Sequence, residues 1–395
     1  MEESTVANAS AQKNTVGITC LSYTGSQARI CYGPRASGKV LRMPEVDRSP
    51  EGSPSITPAG PPIRQITALS GGMGGARFVR GLLHGIRTRA LPGVAPDAEV
   101  TVVANTTDDW WVHGLKVCPD LDTVMYTLGD GIDPERGWGR RDETWSAKEE
   151  LAAYGVEPTW FGLGDRDIAT HLVRTQMLEA GYPLSQVTEA LCRRWQPGVR
   201  LLPMSDDSVE THVAIADPEA PSGRRVVHFQ EYWVRLRASV PAEAVVVVGQ
   251  ESASPAPGVV EAITGADLVV LPPSNPVVSV GTILGVPGIG EAVRRTAAPV
   301  VGLSPIVGGT HVRGMASQML TSIGVEVSAA GVAKHYGARS AGGVLDGWLV
   351  DTVDGDLVDD ITGAGVRARA VPLMMTDDDA TAAMAAAAVA LVTSA

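Results

Sequence analysis

The sequence predicts a doubly wound α/β fold: a mostly parallel, Rossmann-like sheet with a helix-rich inserted lobe. Three observations predict it. Short runs rich in Val, Ile and Leu recur from residue 63 onward, several of them apolar throughout, as expected for parallel strands covered on both faces. Segments of helical period separate these runs, and that alternation marks a parallel sheet with crossover helices. The first run passes directly into a glycine-rich turn and a helix start.

Residues 1–62 stand apart. They hold seven prolines, many serines and glycines, and no sustained period, so they read as a mostly disordered leader. Met43 is an alternative start, and only the apolar stretch 18–21 is expected to pack. Residues 63–395 form a single α/β domain. Its strands are expected at 66–69, 100–104, 199–202, 211–216, 226–229, 244–248, 267–271, 299–303 and 345–350. Helices are expected at 75–89, 121–128, 168–180, 184–195, 289–296, 312–323, 329–336 and 378–392. The helix-rich stretch 138–196 and a small antiparallel excursion at 199–237 depart from the alternation. Together, as 138–237, they are read as a lobe inserted into the main sheet or laid over it.

Composition narrows the function. A net charge of −12 argues against a nucleic-acid-binding surface, which needs a basic footprint. It leaves room for a small anion held by local N–H groups, a metal and a few arginines. The four cysteines (Cys20, Cys31, Cys118, Cys192) are scattered without metal-type spacing, which fits a reduced, cytoplasmic setting. No stretch reaches the ~18 apolar residues of a membrane span. The Ala-rich C-terminal stretch reads as a closing surface helix. The N-terminus lacks the basic start and leucine-rich core of a signal peptide.

Two segments carry the chemistry. In Gly71-Gly72-Met73-Gly74-Gly75 a strand turns sharply into a helix. Residues without Cβ permit positive φ and close approach to a ligand, and a helix N-terminus favours phosphate. The turn matches neither GxGxxG nor a Walker P-loop. Its alternative reading is a ligand-free strand–helix turn. Arg77 and Arg80 either add charge-assisted bonds to phosphate or face solvent. The second segment puts Asp108, Asp109, Asp120 and Asp122 within fifteen residues after an apolar strand. Mg²⁺ takes carboxylate oxygens together with water and substrate phosphates, so Asp108 and Asp109 are candidate ligands or substrate contacts. Asp120 is either a ligand or a helix cap.

Weaker signals follow. Ser274 and Asn275, after the strand 267–271, read either as base or ribose contacts or as a plain Pro-rich connection, and the loop 304–309 is similar. Trp110 and Trp111 either stack on a flat ring or pack, and His113 is a remote general-base candidate. The segment 140–145 is either solvated surface or a lid. No Ser or Cys shows the surroundings of an activated nucleophile.

In order, Leu69 to Arg77, Asp108-Asp109 with His113-Gly114-Leu115, Cys118 to Thr123, Arg141 to Thr144, Gly162 to Asp167 and Pro273 to Gly281 resemble the 2-phospho-L-lactate transferases of coenzyme F-420 biosynthesis, including the actinobacterial phosphoenolpyruvyl transferases. The resemblance runs from about residue 66 to the C-terminus. It implies that a guanosine diphosphate ester of enolpyruvate or lactate binds at Gly71, Gly72, Gly74, Gly75 and Arg77 and at the Ser274-Asn275 loop. The ribityl hydroxyl of the deazaflavin Fo then attacks phosphorus, GMP leaves, and Mg²⁺ is required. On this reading Asp108 and Asp120 hold Mg²⁺. Asp109 or Asp122 orients the hydroxyl or takes its proton, with Asp108 also counted as catalytic. Asp142 and Thr144 face the deazaflavin. A homodimer is expected. Two features depart from the family: the leader, and Thr106-Thr107 where a glycine more often precedes the first aspartate. The rival reading is a non-catalytic, nucleotide-sugar-binding regulator of the same fold.

Overall fold

The computed structural model describes residues 60–393. The leader and the 18–21 stretch lie outside the described residues, apart from the leader's last three positions. In chain order the elements are β1 (Ile63–Ser70), α1 (Gly72–Arg87), β2 (Val94–Ala104), β3 (Trp110–Val112), β4 (Leu115–Val117), α2 (Pro119–Leu128), α3 (Ser146–Ala153), α4 (Asp165–Glu179), α5 (Leu184–Trp195), β5 (Arg200–Pro203), β6 (Glu210–Ala216), β7 (Arg224–His228), β8 (Ala242–Val248), α6 (Val259–Thr264), β9 (Leu268–Leu271), α7 (Val280–Gly285), α8 (Ile289–Arg295), β10 (Val300–Leu303), β11 (Ile306–Val307), β12 (Thr310–His311), α9 (Ala316–Ser322), α10 (Ala329–Tyr336), β13 (Gly347–Val350), α11 (Val358–Gly363), β14 (Arg367–Ala370) and α12 (Asp378–Thr393).

Seven strands make one sheet in the order β14-β13-β10-β9-β1-β2-β5, with every pairing parallel. Successive residues of its strands enter opposite cores. Val102, Leu268 and Leu349 pack in one, with α1, α2, α5 and α12; Val103, Val269 and Val350 pack in the other, with α6, α8 and α10. Both faces are therefore covered, which is why these runs read as unbroken apolar stretches.

The chain winds outward from β1 through β2 to β5, then returns to lay β9 on the other side of β1. The strand order reverses between β1 and β9, and open α/β sheets bind ligands at such a switch point. β5 pairs with β2, so the interval 138–237 contains a strand of the main sheet. Its helices α3–α5 precede that strand. Its antiparallel part follows, as a separate three-stranded sheet β7-β6-β8 that extends to Val248.

The Ala-rich stretch is more than a surface helix. α12 buries Ala382, Met384, Ala385, Ala388 and Val389 and lies tightly on α1. A Cβ at Gly81 would overlap the Thr381 side chain, and one at Gly85 would lie 3.1 Å from Ala382 Cβ. Arg80 pairs with Asp378 at 2.8 Å across this contact, which removes it from the phosphate candidates. The predicted helix 312–323 begins only at Ala316, because the β11–β12 hairpin and Gly314, at φ +93°, precede it.

Candidate active site

Loops at the carboxyl ends of β1, β2, β9 and β10 meet around the switch point. Gly71 to Gly74, Asp108, Pro273 to Asn275 and Ser304 wall a cavity of about 990 Å³, at the upper end of the range for small-molecule sites. α2 contributes Asp120, Asp122 and Tyr126, and α4 contributes Asp167 and His171. Trp138, Phe161, Phe229 and Trp233 supply flat apolar surface.

The glycine turn is shaped by a close approach of two loops. Gly72 takes φ +61° at the start of α1. The Gly71 N–H donates to Ser274 Oγ at 3.2 Å, and that hydroxyl donates to the Gly71 carbonyl at 2.8 Å. Ser274 therefore braces the turn. A Cβ at Gly74 would clash with the Pro273 carbonyl oxygen, and one at Gly75 with the Ser70 and Ser274 hydroxyls. Gly71, Gly72, Gly74 and Arg77 line the cavity, whereas Gly75 does not. Asn275 lines it too, with its side-chain oxygen accepting from the Val277 and Val278 N–H groups at 2.9 and 3.2 Å.

The four aspartates are all buried, at 2–6 % exposure, so water does little to stabilise their charges. Asn105, fully buried just after β2, anchors Asp120. Its Nδ2 donates to Asp120 Oδ2 at 3.0 Å. Its Oδ1 accepts from the hydroxyls of Thr107 (2.9 Å) and Thr282 (2.8 Å). A Cβ at Gly72 would lie 3.5 Å from Asp120 Oδ1, so the N-terminus of α1 faces a carboxylate of the protein itself. Burial, then repulsion from Asp120, pushes Asp108 well above the usual carboxylate range, and burial pushes Asp120 up to about 6. A divalent cation would discharge such a pair. Among the described residues no group of three or more His, Cys, Asp or Glu is arranged to hold a metal ion, so further ligands would have to come from substrate and water. Thr106 and Thr107 both avoid positive φ, so their presence in place of glycine costs no backbone strain.

Asp109 and Asp122 differ in placement. Asp109 does not line the cavity, and neither of its oxygens has a hydrogen-bond partner. Burial raises it to about 7 against the opposing charge of Lys116. Asp122 lines the cavity and pairs through Oδ1 with Arg174. Asp142 and Thr144 are exposed and outside the cavity wall. The Thr144 hydroxyl donates to Asp165 at the start of α4, at 2.6 Å, and Asp142 sits at φ +53°. Trp110 stacks between Trp160 and His228, each 5.5 Å away. Neither Trp110 nor His113 lines the cavity. Just before the 140–145 segment, the Arg136 guanidinium lies over Trp138 and over Trp145 of that segment, and Arg313 donates to the Arg136 carbonyl at 2.7 Å.

Sequence reasoning assigned no role to Asn105, Tyr126, Asp167, His171 or Arg174. Asp167, His171 and Arg174 fall at i, i+4 and i+7 of one helix, a spacing that places all three on one face. That polar stripe was the available signal.

Fold and site together define a class: a doubly wound α/β protein with a cavity at its switch point, walled by a glycine turn and buried carboxylates. Residues 66–385 match the family model described as 2-phospho-L-lactate transferase CofD. The chain belongs to this family and is a transferase. It is 66% identical over 321 residues to the phosphoenolpyruvate transferase of Streptomyces griseus, covering 81% of this chain and 96% of that one. It is 59% identical over 320 residues to the phosphoenolpyruvate transferase of Mycolicibacterium smegmatis, covering 81% and 96%. A solved protein structure from Bacillus halodurans superposes with a TM-score of 0.53 at 18% identity, over 83% of this chain and 99% of that one, a likeness of fold alone. The nucleotide-sugar-binding regulator gains no support from these matches.

Proposed function

We propose that this chain transfers a phosphoenolpyruvyl group from a guanosine diphosphate ester to the ribityl hydroxyl of the deazaflavin Fo, releasing GMP, in coenzyme F-420 biosynthesis. The observation that carries the reading is the meeting of the glycine turn, the Asp108–Asp120 pair and the Ser274-Asn275 loop in one cavity wall. Relatives named phosphoenolpyruvate transferase favour enolpyruvate over lactate as the acid.

Asp108 and Asp120 would hold Mg²⁺, which, when bound, neutralises the diphosphate and polarises the phosphorus under attack. The remaining work is alignment and charge stabilisation by the protein. N–H groups in the first turn of α1 have no intrahelical partner and favour anions, and Arg77 stands exposed at the cavity wall. The acceptor oxygen forms a bond to phosphorus as the phosphorus–oxygen bond to GMP breaks, and the electron pair leaves with GMP. Asp122, which lines the cavity with an unpartnered Oδ2, takes the hydroxyl proton in preference to Asp109. The aromatic walls hold the flat deazaflavin ring. Among the described residues no helix is long and apolar enough to cross a membrane. A cytoplasmic homodimer is part of the proposal.

The test is incubation with Fo, Mg²⁺ and the enolpyruvyl guanosine diphosphate ester, with mass spectrometry for the phosphodiester and GMP. Product that disappears with EDTA supports both reaction and metal. No product from folded protein, with the lactyl donor failing too, would sink the proposal.

A further inference from the structure

Beside Asp122 lies a buried ion network to which the reaction above assigns no part. Arg174, 1 % exposed, donates to Asp122 Oδ1, to the Lys116 carbonyl at 3.3 Å and to His171 Nδ1 at 3.0 Å. A guanidinium can only donate. His171 Nδ1 must therefore present its lone pair, and the ring proton sits on Nε2, which makes no hydrogen bond and lies 3.5 Å from Asp167 Oδ2. The other Asp167 oxygen accepts from the Tyr126 hydroxyl at 2.5 Å. This arrangement leaves Asp122 Oδ2 without a partner, 3.8 Å from an imidazole nitrogen that has no proton to give it. A buried carboxylate oxygen left unmatched is costly, and Asp122 belongs to the cavity wall.

We propose that Arg174 is a positioning residue: by engaging Asp122 Oδ1 and His171 Nδ1 together, it keeps Asp122 Oδ2 open for the hydroxyl of the acceptor. Without the fork, the imidazole is free to carry its proton on Nδ1 and to close on Oδ2 itself. The role of the hydroxyl rests on the transfer reaction proposed above; the tautomer of His171 does not. If Arg174 served only to neutralise a buried carboxylate, lysine would serve as well. Lysine keeps the charge but lacks the rigid two-pronged geometry.

Two measurements decide the matter. In Arg174→Lys, kcat is expected to fall on the order of 10- to 100-fold, the scale of a small misplacement of a reacting group, while KM for the guanosine diphosphate ester stays within about twofold of the wild-type value. An unchanged kcat in folded Arg174→Lys would overturn the proposal. Should that variant fail to fold, nitrogen NMR of the His171 ring in the unmodified protein decides. A bare Nδ1 with the proton on Nε2 supports the proposal, and a protonated Nδ1 overturns it. Absence of any transfer by the unmodified protein would remove the proposed reaction, while the ring spectrum would still decide whether Arg174 sets the tautomer.

Discussion

At the scale of single residues, Asp109 is the carboxylate least supported by its surroundings. It is buried, neither oxygen has a hydrogen-bond partner, and burial lifts it to about 7. The folded value lies above the unfolded one. The stability it contributes is therefore complete below pH ~4 and is lost as pH rises through about 7, on the order of 4 kcal/mol in all. Asp109→Asn removes that loss. It is expected to stabilise the protein at pH 8 and to do little at pH 4, with urea denaturation at the two pH values as the check. Equal effects at both would show that Asp109 is solvated or paired. Asp108→Asn is expected to abolish Mg²⁺-dependent turnover without unfolding the chain, and full activity in that variant would remove Asp108 from the metal site. Asn105→Ala deletes the amide that donates to Asp120 and accepts from the Thr107 and Thr282 hydroxyls. It should cost about 1–3 kcal/mol, the scale for stranding buried polar groups, measurable by the same denaturation.

At the scale of elements, α12 lies close against α1, and the contact has a direct consequence. Gly81 leaves no room for a Cβ against Thr381, so Gly81→Ala must push the helices apart or displace Thr381. A cost of about 1–3 kcal/mol in urea denaturation is expected, with kcat unchanged because neither residue lines the cavity. A Gly81→Ala protein as stable as its parent would mean that α12 is loosely seated. The same elements show what a sequence exposes. Strands of the central sheet were legible because both faces are covered, which writes an unbroken apolar run. β14 was missed because Arg-Ala-Arg-Ala at a sheet edge carries no such run. α6, α7 and α11, at six residues each, are too short to establish a helical period. The aspartates of 108–122 were legible because they are neighbours in sequence. Arg174 lies 52 residues from Asp122, so the sequence shows its stripe on α4 but not the partner that α4 meets. Asp142 and Thr144 were assigned from resemblance alone, and both lie on an exposed loop outside the cavity.

At the scale of the whole molecule, the sheet's reversal between β1 and β9 places residues 71, 108, 120 and 274 around one space although they come from three separate parts of the chain. A ligand that joins these parts binds the folded state alone, so its binding energy appears as global stability. At one hundred times its dissociation constant it adds about 2.7 kcal/mol. The paired carboxylates Asp108 and Asp120 make that gain conditional. A diphosphate brought beside these two buried carboxylates must either meet their charge or force them to stay protonated, whereas the same diphosphate with Mg²⁺ meets a discharged pair. GDP with Mg²⁺ is therefore expected to raise the thermal midpoint by several degrees. GDP with EDTA should raise it little, and Mg²⁺ alone should act mainly above pH ~6, where burial no longer keeps Asp120 protonated. In Asp120→Asn the difference between GDP with Mg²⁺ and GDP with EDTA should shrink. Equal stabilisation by GDP with and without Mg²⁺ in the unmodified protein would separate the nucleotide site from the carboxylate pair and end the case for a metal between them.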